Sequence, residues 1–104
     1  MASIVKKISI NDFKEDEYVL TVKEVDTIYI QQTGFSFHLQ GNIGNTNDWF
    51  NLRTISLNDY GLILNITENG LYALDTSGLD YLKIILDENE ENAIMLIKVV
   101  GELW

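Results

Sequence analysis

Cysteine and proline are both absent from this 104-residue chain, and each absence closes off a set of possibilities. Without a thiol there is no disulfide framework, no thiolate metal site and no cysteine nucleophile. Without proline, every chain reversal has to be made by Gly, Asn, Asp and Ser, residues that accept positive φ or hydrogen-bond their own backbone. Positive charge is scarce too: 7 Lys and Arg stand against 16 Asp and Glu, a formal net charge of -9. A surface of that sign is repelled by phosphate backbones and anionic lipid, so neither nucleic acid nor a membrane surface is an expected partner. No run approaches the roughly 18 continuous apolar residues of a membrane span. The opening residues Met1 to Lys7 lack the apolar stretch of a signal peptide, so the expectation is a soluble protein made in a cytoplasm.

The residues that are present read as strands. A hydrophobic fraction of 46% suits a chain that folds around its own core, and the length suits one domain over 1–104. Period-two alternation recurs along it. Phe35, Phe37 and Leu39 point one way while Ser36, His38 and Gln40 point the other; Tyr18, Leu20 and Val22 oppose Val19, Thr21 and Lys23. Ser3 to Ile10 reads as a strand with Ile4, Ile8 and Ile10 on one face and Val5 on the other, and Leu62, Leu64 and Ile66 read as the buried side of another. Further strands are expected at Thr27 to Gln31, Leu71 to Asp75, Leu82 to Leu86 and from Ala93 onward, the last two joined by a polar hairpin loop at Asp87 to Asn92. No helical period interrupts the pattern. About eight short antiparallel strands, each with one apolar face, predict an all-β fold: a two-sheet, jelly-roll-like β-sandwich.

Two segments punctuate the strands. Asp75-Thr76-Ser77-Gly78 combines residues that bond their own backbone with a glycine to turn on, and predicts a stiff architectural corner rather than a catalytic triad. Gly41 to Asp48 is the longest turn-rich segment, and loops at sheet ends commonly carry contacts. It lacks the lysine and hydroxyl of a phosphate loop. Trp49 follows directly, and with Leu52 is expected to cover the core beside the loop; stacking on a sugar is its sharper reading. The acidic runs at 12–17 and 87–91 lack the spacing that wraps a calcium ion. The lone His38 falls on a polar face with no nucleophile or orienting carboxylate marked for it, so no catalytic residue, cofactor or metal site is assigned. Val5, Tyr29, Ile63, Leu71 or Tyr72, Tyr81, Ile85 and Trp104 remain as surplus apolar residues, a pattern that suggests an assembly surface and a homo-oligomer.

The series Phe35-x-Phe37-x-Leu39-x-Gly41, Asn47-Asp48-Trp49-x-x-Leu52, Gly70-x-Tyr72 and Asp75-x-Ser77-Gly78-Leu79-x-Tyr81-Leu82-Lys83-Ile84 resembles the small β-sandwich modules of tailed-phage virions. These are capsid decoration, head-fibre and tail or baseplate accessory proteins. The resemblance runs from residue 26 to 104. It implies a non-enzymatic virion protein whose partners are itself and other capsid or tail proteins; residues 1–25 lie outside the resemblance, and an N-terminal strand of this kind is suited to contacts with a neighbouring subunit. The strand after the corner carries Lys83 where those modules often have Arg, and an Asn-rich loop stands in place of their Ser-x-Asp-Gly. The run Tyr72-x-x-Asp75 with Tyr81-Leu82-Lys83-Ile84 is also similar to galactose-binding-like jelly rolls of the discoidin type, which implies glycan binding as the alternative function. This second resemblance makes Asn45, Asn47, Asp48 and Trp49 the candidate contacts, and the surplus apolar residues add Tyr81 and Trp104 as candidate ligand or partner contacts.

Overall fold

The architecture rests on two strands far longer than the sequence pattern suggests. A computed structural model describes residues 2–44 and 46–101. Its strands are β1 (Ala2–Ile8), β2 (Glu17–Thr21), β3 (Val25–Asn42), β4 (Phe50–Leu52), β5 (Thr54–Ser56), β6 (Leu62–Ile63), β7 (Asn65–Ile66), β8 (Gly70–Asp75) and β9 (Tyr81–Gly101), with one 3-10 turn at Ile10–Asp12. All nine join a single antiparallel sheet whose main order is β1-β9-β3-β8-β5-β6, with β2 added to β9 and with β4 and β7 added to β3. The all-β expectation holds, but the hydrogen bonds make one open sheet rather than two separate ones.

β3 and β9 pair along their whole lengths, from Val25↔Gly101 to Asn42↔Tyr81. At a rise of about 3.3 Å per residue, straight strands of these lengths would reach about 60 and 70 Å. The longest dimension of the molecule is 35 Å, so both must bend. The bend sits where the register slips, between Thr33↔Ile94 and Phe35↔Asn89. Here Gly34 takes φ +86° on one strand while residues 90–93 form the excess on the other. The bulge also changes which residues face inward: Ile28, Ile30 and Gln32 before it and Phe35, Phe37 and Leu39 after it are all buried. β9 does the same, passing from Leu82, Ile84 and Leu86 to Ala93, Met95, Ile97 and Val99. An extra residue reverses the alternation and so keeps the apolar row on one side through the bend. Asp87 to Asn92 is therefore a bulged stretch inside β9, not a hairpin loop.

Buried Gln32 holds the bend. Its Oε1 accepts from Phe35 N–H at 2.9 Å, satisfying a donor in the bulge, and its Nε2 donates to Glu68 O. Tyr72 O–H donates to the same carbonyl at 2.6 Å. Burial, first, and the nearby carboxylates of Glu68 and Asp59 push the Tyr72 phenol above its ordinary pKa.

The two ends of the bent β3 are tied by the predicted corner. Thr76 N–H donates to Asp26 O and Asp80 N–H to Asn42 O, both at 3.0 Å. The intervening chain reaches at most about 20 Å, whereas a straight strand from residue 26 to 42 would span about 50 Å. Fully buried Thr76 also donates its hydroxyl to Val25 O at 3.0 Å. Ser77 N–H donates to Asp75 Oδ1 at 2.9 Å, and that bond holds the exposed Asp75 carboxyl below its ordinary pKa. Gly78 adopts φ +87°. The corner is the hydrogen-bonded turn that its composition implies.

Two further expectations are corrected and an open alternative is resolved. The 62–67 stretch breaks at Leu64: β6 pairs with β5 and β7 with β3, so Leu62 is 64% exposed and only Ile66 is fully buried. In the first strand Ile8 is buried, but Ile4 lies on an open edge and Ile10 in the 3-10 turn, 43% and 40% exposed. Of Leu71 and Tyr72, the alternatives for one surplus position, Leu71 takes the exposed side and Tyr72 is core.

Candidate functional site

The end of β3 beyond the corner is where the apolar surface opens. β4 returns alongside β3 with Gly41 opposite Phe50 and Leu39 opposite Leu52. Gly41 lets the strands close tightly: a Cβ there would come 2.8 Å from Leu52 Cδ1 and 3.0 Å from Leu79 Cδ1. The connecting loop is braced by Gly44 N–H donating to Asp80 Oδ2 at 2.6 Å and by Asn42 Nδ2 donating to Thr46 O at 3.1 Å. Asn42 Oδ1 is buried without a hydrogen-bond partner among the described residues. Between loop and β4 lies a groove of about 310 Å³ whose walls include Ile43, Thr46, Asp48, Phe50, Leu52 and Leu79. Its floor merges with the core through Leu52 and Leu79, and its rim carries Ile43 and Phe50 at 70% and 68% exposure. Burying large apolar side chains left in water is favourable by roughly 1.5–3 kcal/mol each, so this groove favours a partner's apolar surface.

A second, chemically different surface covers the side of β9 turned away from the core. Tyr81 and Lys83 alternate with buried Leu82 and Ile84 and so share this side. Lys83 Nζ sits 4.2 Å from the centroid of the Trp49 ring and 3.6 Å from Glu17 Oε1. Lys23 Nζ lies 5.4 Å from the Tyr81 ring centroid. Gln40, opposite Lys83 across the strands, donates from Nε2 to Asn51 Oδ1 at 2.9 Å. One row further along, His38 Nδ1 and Asp87 Oδ2 are 3.0 Å apart.

The six expected contact residues thus divide. Asp48 lines the groove, while exposed Asn47 sits in the adjoining loop without lining it. Trp49 and Tyr81 belong instead to the outer side of β9, Trp49 against Lys83 and Tyr81 two residues before it on the strand. The ring face of Trp49 nearest Lys83 is already occupied by the ammonium, which displaces a sugar from that face. Asn45 and Trp104 lie outside the described residues. The sequence reading missed Ile43 and Phe50, the most exposed apolar groups of the groove, and Lys83 as the partner of Trp49. The adjacent Trp49-Phe50 pair was the available signal, since a strand alternates and one of two neighbouring aromatics must face outward. It also missed Asp87 as a carboxylate beside His38; among the described residues no hydroxyl is hydrogen-bonded to that imidazole. No group of three His, Cys, Asp or Glu side chains among the described residues is arranged to hold a metal ion, and no helix there is long and apolar enough to cross a membrane.

No protein-family model matches the chain, and no curated protein matches it in sequence. Its shape does have counterparts among solved structures. The crystal structure of the SPBc2 prophage-derived protein YomS superposes with a TM-score of 0.74 at 11% identity, covering 97% of this chain and 96% of that one. The PBSX exported protein XepA superposes with the same score at 10% identity over 98% of this chain, which spans only 39% of XepA's length. At such identities the likeness is one of fold. The bent nine-stranded sheet described here is a fold shared with these two proteins.

Proposed function

We propose that this protein is a non-enzymatic structural or accessory subunit of a tailed-phage particle, binding itself and other capsid or tail proteins at the virion. The observation that carries this reading is the end-to-end match of its fold with a prophage-derived protein of nearly the same length. The bent sheet then serves as a compact, jelly-roll-like two-layer body, and the groove edged by Ile43 and Phe50 is the surface that seats on the particle. Net charge of -9 keeps free copies apart from nucleic acid and soluble before assembly. No cofactor, metal ion, membrane or nucleic acid takes part in this reading.

Adding purified protein to particles from a phage lacking its gene tests it. Co-sedimentation with the particles is expected, weakened at least tenfold by Ile43→Ser with Phe50→Ser. Protein that neither attaches nor self-associates at micromolar concentration overturns the proposal. A glycan-binding role is the second reading, favoured by the outer side of β9, where aromatic rings and the Gln40–Asn51 amides lie together. A glycan array signal abolished by Trp49→Ala supports it; an array without signal removes it.

A further inference from the structure

β1 and β2 both flank β9 on the side away from β3, one against each half of the bent strand. Among the described residues neither has a second strand partner, so both present open edges. They also carry exposed aliphatic side chains: Ile4 at 43%, Val5 at 60% and Val19 at 51%. Ile4 and Lys6 stand opposite Val99 and Ile97, in the row that faces the core, yet both are exposed while Val99 and Ile97 are buried. The far layer of the bent sheet therefore does not extend over β1, and a strip of core-side apolar surface is left uncovered there.

The charges on the two edges are opposite. β1 carries Lys6 and Lys7 and no acidic residue, although the chain as a whole is strongly acidic. β2 begins from a tight turn with Glu15, Asp16 and Glu17, all exposed; Lys14 lies in the same turn and Lys83 pairs with Glu17, which leaves the carboxylates of Glu15 and Asp16 in excess. Lysine on an edge strand discourages pairing with a like edge, and like charges directly opposite one another on paired strands are destabilising. β1 therefore rejects another β1, and the acidic start of β2 rejects another β2, while each edge complements the other. We infer that a second copy of this chain docks with its β2 edge against β1, adding main-chain hydrogen bonds and covering Ile4, Val5 and Val19. This rests on the reading above that the protein self-associates, and specifies the surface by which it does so.

Sedimentation of charge-exchanged variants tests it. The wild type is expected to sediment as a multiple of 11.9 kDa at micromolar concentration. Lys6→Glu with Lys7→Glu, and separately Glu15→Lys with Asp16→Lys, are each expected to weaken association at least tenfold while keeping the wild-type β circular dichroism spectrum. Mixing the two variants is expected to restore association, because each then supplies the edge that complements the other. A wild-type assembly that both charge-exchanged variants leave intact overturns the edge pairing but spares self-association; a monomeric wild type overturns both. Should either variant fail to fold, hydrogen exchange of the wild type decides: with rising concentration, amides of β1 and β2 gain protection if the edges pair and show none if they do not.

Discussion

Gly34 and Gly78 form a matched pair for testing the bend. Their φ angles are +86° and +87°, so an alanine at either position meets the same left-handed backbone. That conformation disfavours a residue with a Cβ by about 1–2 kcal/mol. The surroundings differ. A Cβ at Gly78 meets nothing within 4 Å, whereas at Gly34 it comes 3.1 Å from both Cα and Cβ of Ala93, so the facing backbone has to shift by a few tenths of an ångström. Overpacking of that kind adds about 1–3 kcal/mol. Gly78→Ala is therefore expected to destabilise by about 1–2 kcal/mol and Gly34→Ala by about 2–5 kcal/mol, read as the shift in urea midpoint at unchanged slope. Gly78→Val, with its β-branched side chain at positive φ, falls further than Gly78→Ala. Equal losses for the two alanine variants would refute the close approach of β9 to Gly34, and with it the bending of the β3–β9 pair at this point.

Three other outcomes follow from the same structure. Gln32→Leu leaves Phe35 N–H unpaired inside the bulge and should cost about 1–3 kcal/mol in the same urea assay, more than an exposed Gln31→Leu. Asp75→Ala removes the acceptor for Ser77 N–H; because that carboxyl is held below its ordinary pKa, its contribution is present at neutral pH and fades as the pH falls through and below the usual value of 3.8. The variant should therefore lose stability relative to wild type at pH 7 but approach it near pH 2, as thermal melts at the two pH values will show. Lys83→Met takes the ammonium off one face of Trp49 and should change its fluorescence emission while costing about 1–2 kcal/mol, as expected for a largely buried cation over an indole ring.

Local alternation made most of the strands legible in the sequence, because a half-buried strand has to place apolar side chains at every second residue. The rows Phe35, Phe37, Leu39 and Leu20, Val22 are buried as their spacing implies. The corner at 75–78 was legible for a related reason: its hydrogen bonds are local or reach the strand it crosses. Continuity across the bend was not legible. Thr33-Gly34 and Asp87 to Asn92 have the composition of turns, and a bulge differs from a turn only in which distant residues it pairs with. The exposure of Ile4 was hidden likewise, since an apolar residue at the right period is buried only if a second layer lies over it. At the candidate site, Trp49 stood out as an aromatic beside a loop. Its cover by Lys83 depends on a contact between residues far apart in sequence, which no local pattern records. The groove was legible only as a turn-rich segment, because its walls come from the loop, β4 and the corner together.

Mass spectrometry of gradient-purified native particles, with the copy number of this chain counted against the major capsid protein, tests the central claim most directly. The account predicts a fixed, reproducible number of copies per particle that persists through repeated purification, with a high number marking a shell decoration and a low one a tail component. Abundant free protein in the lysate with none retained on the particles would contradict it.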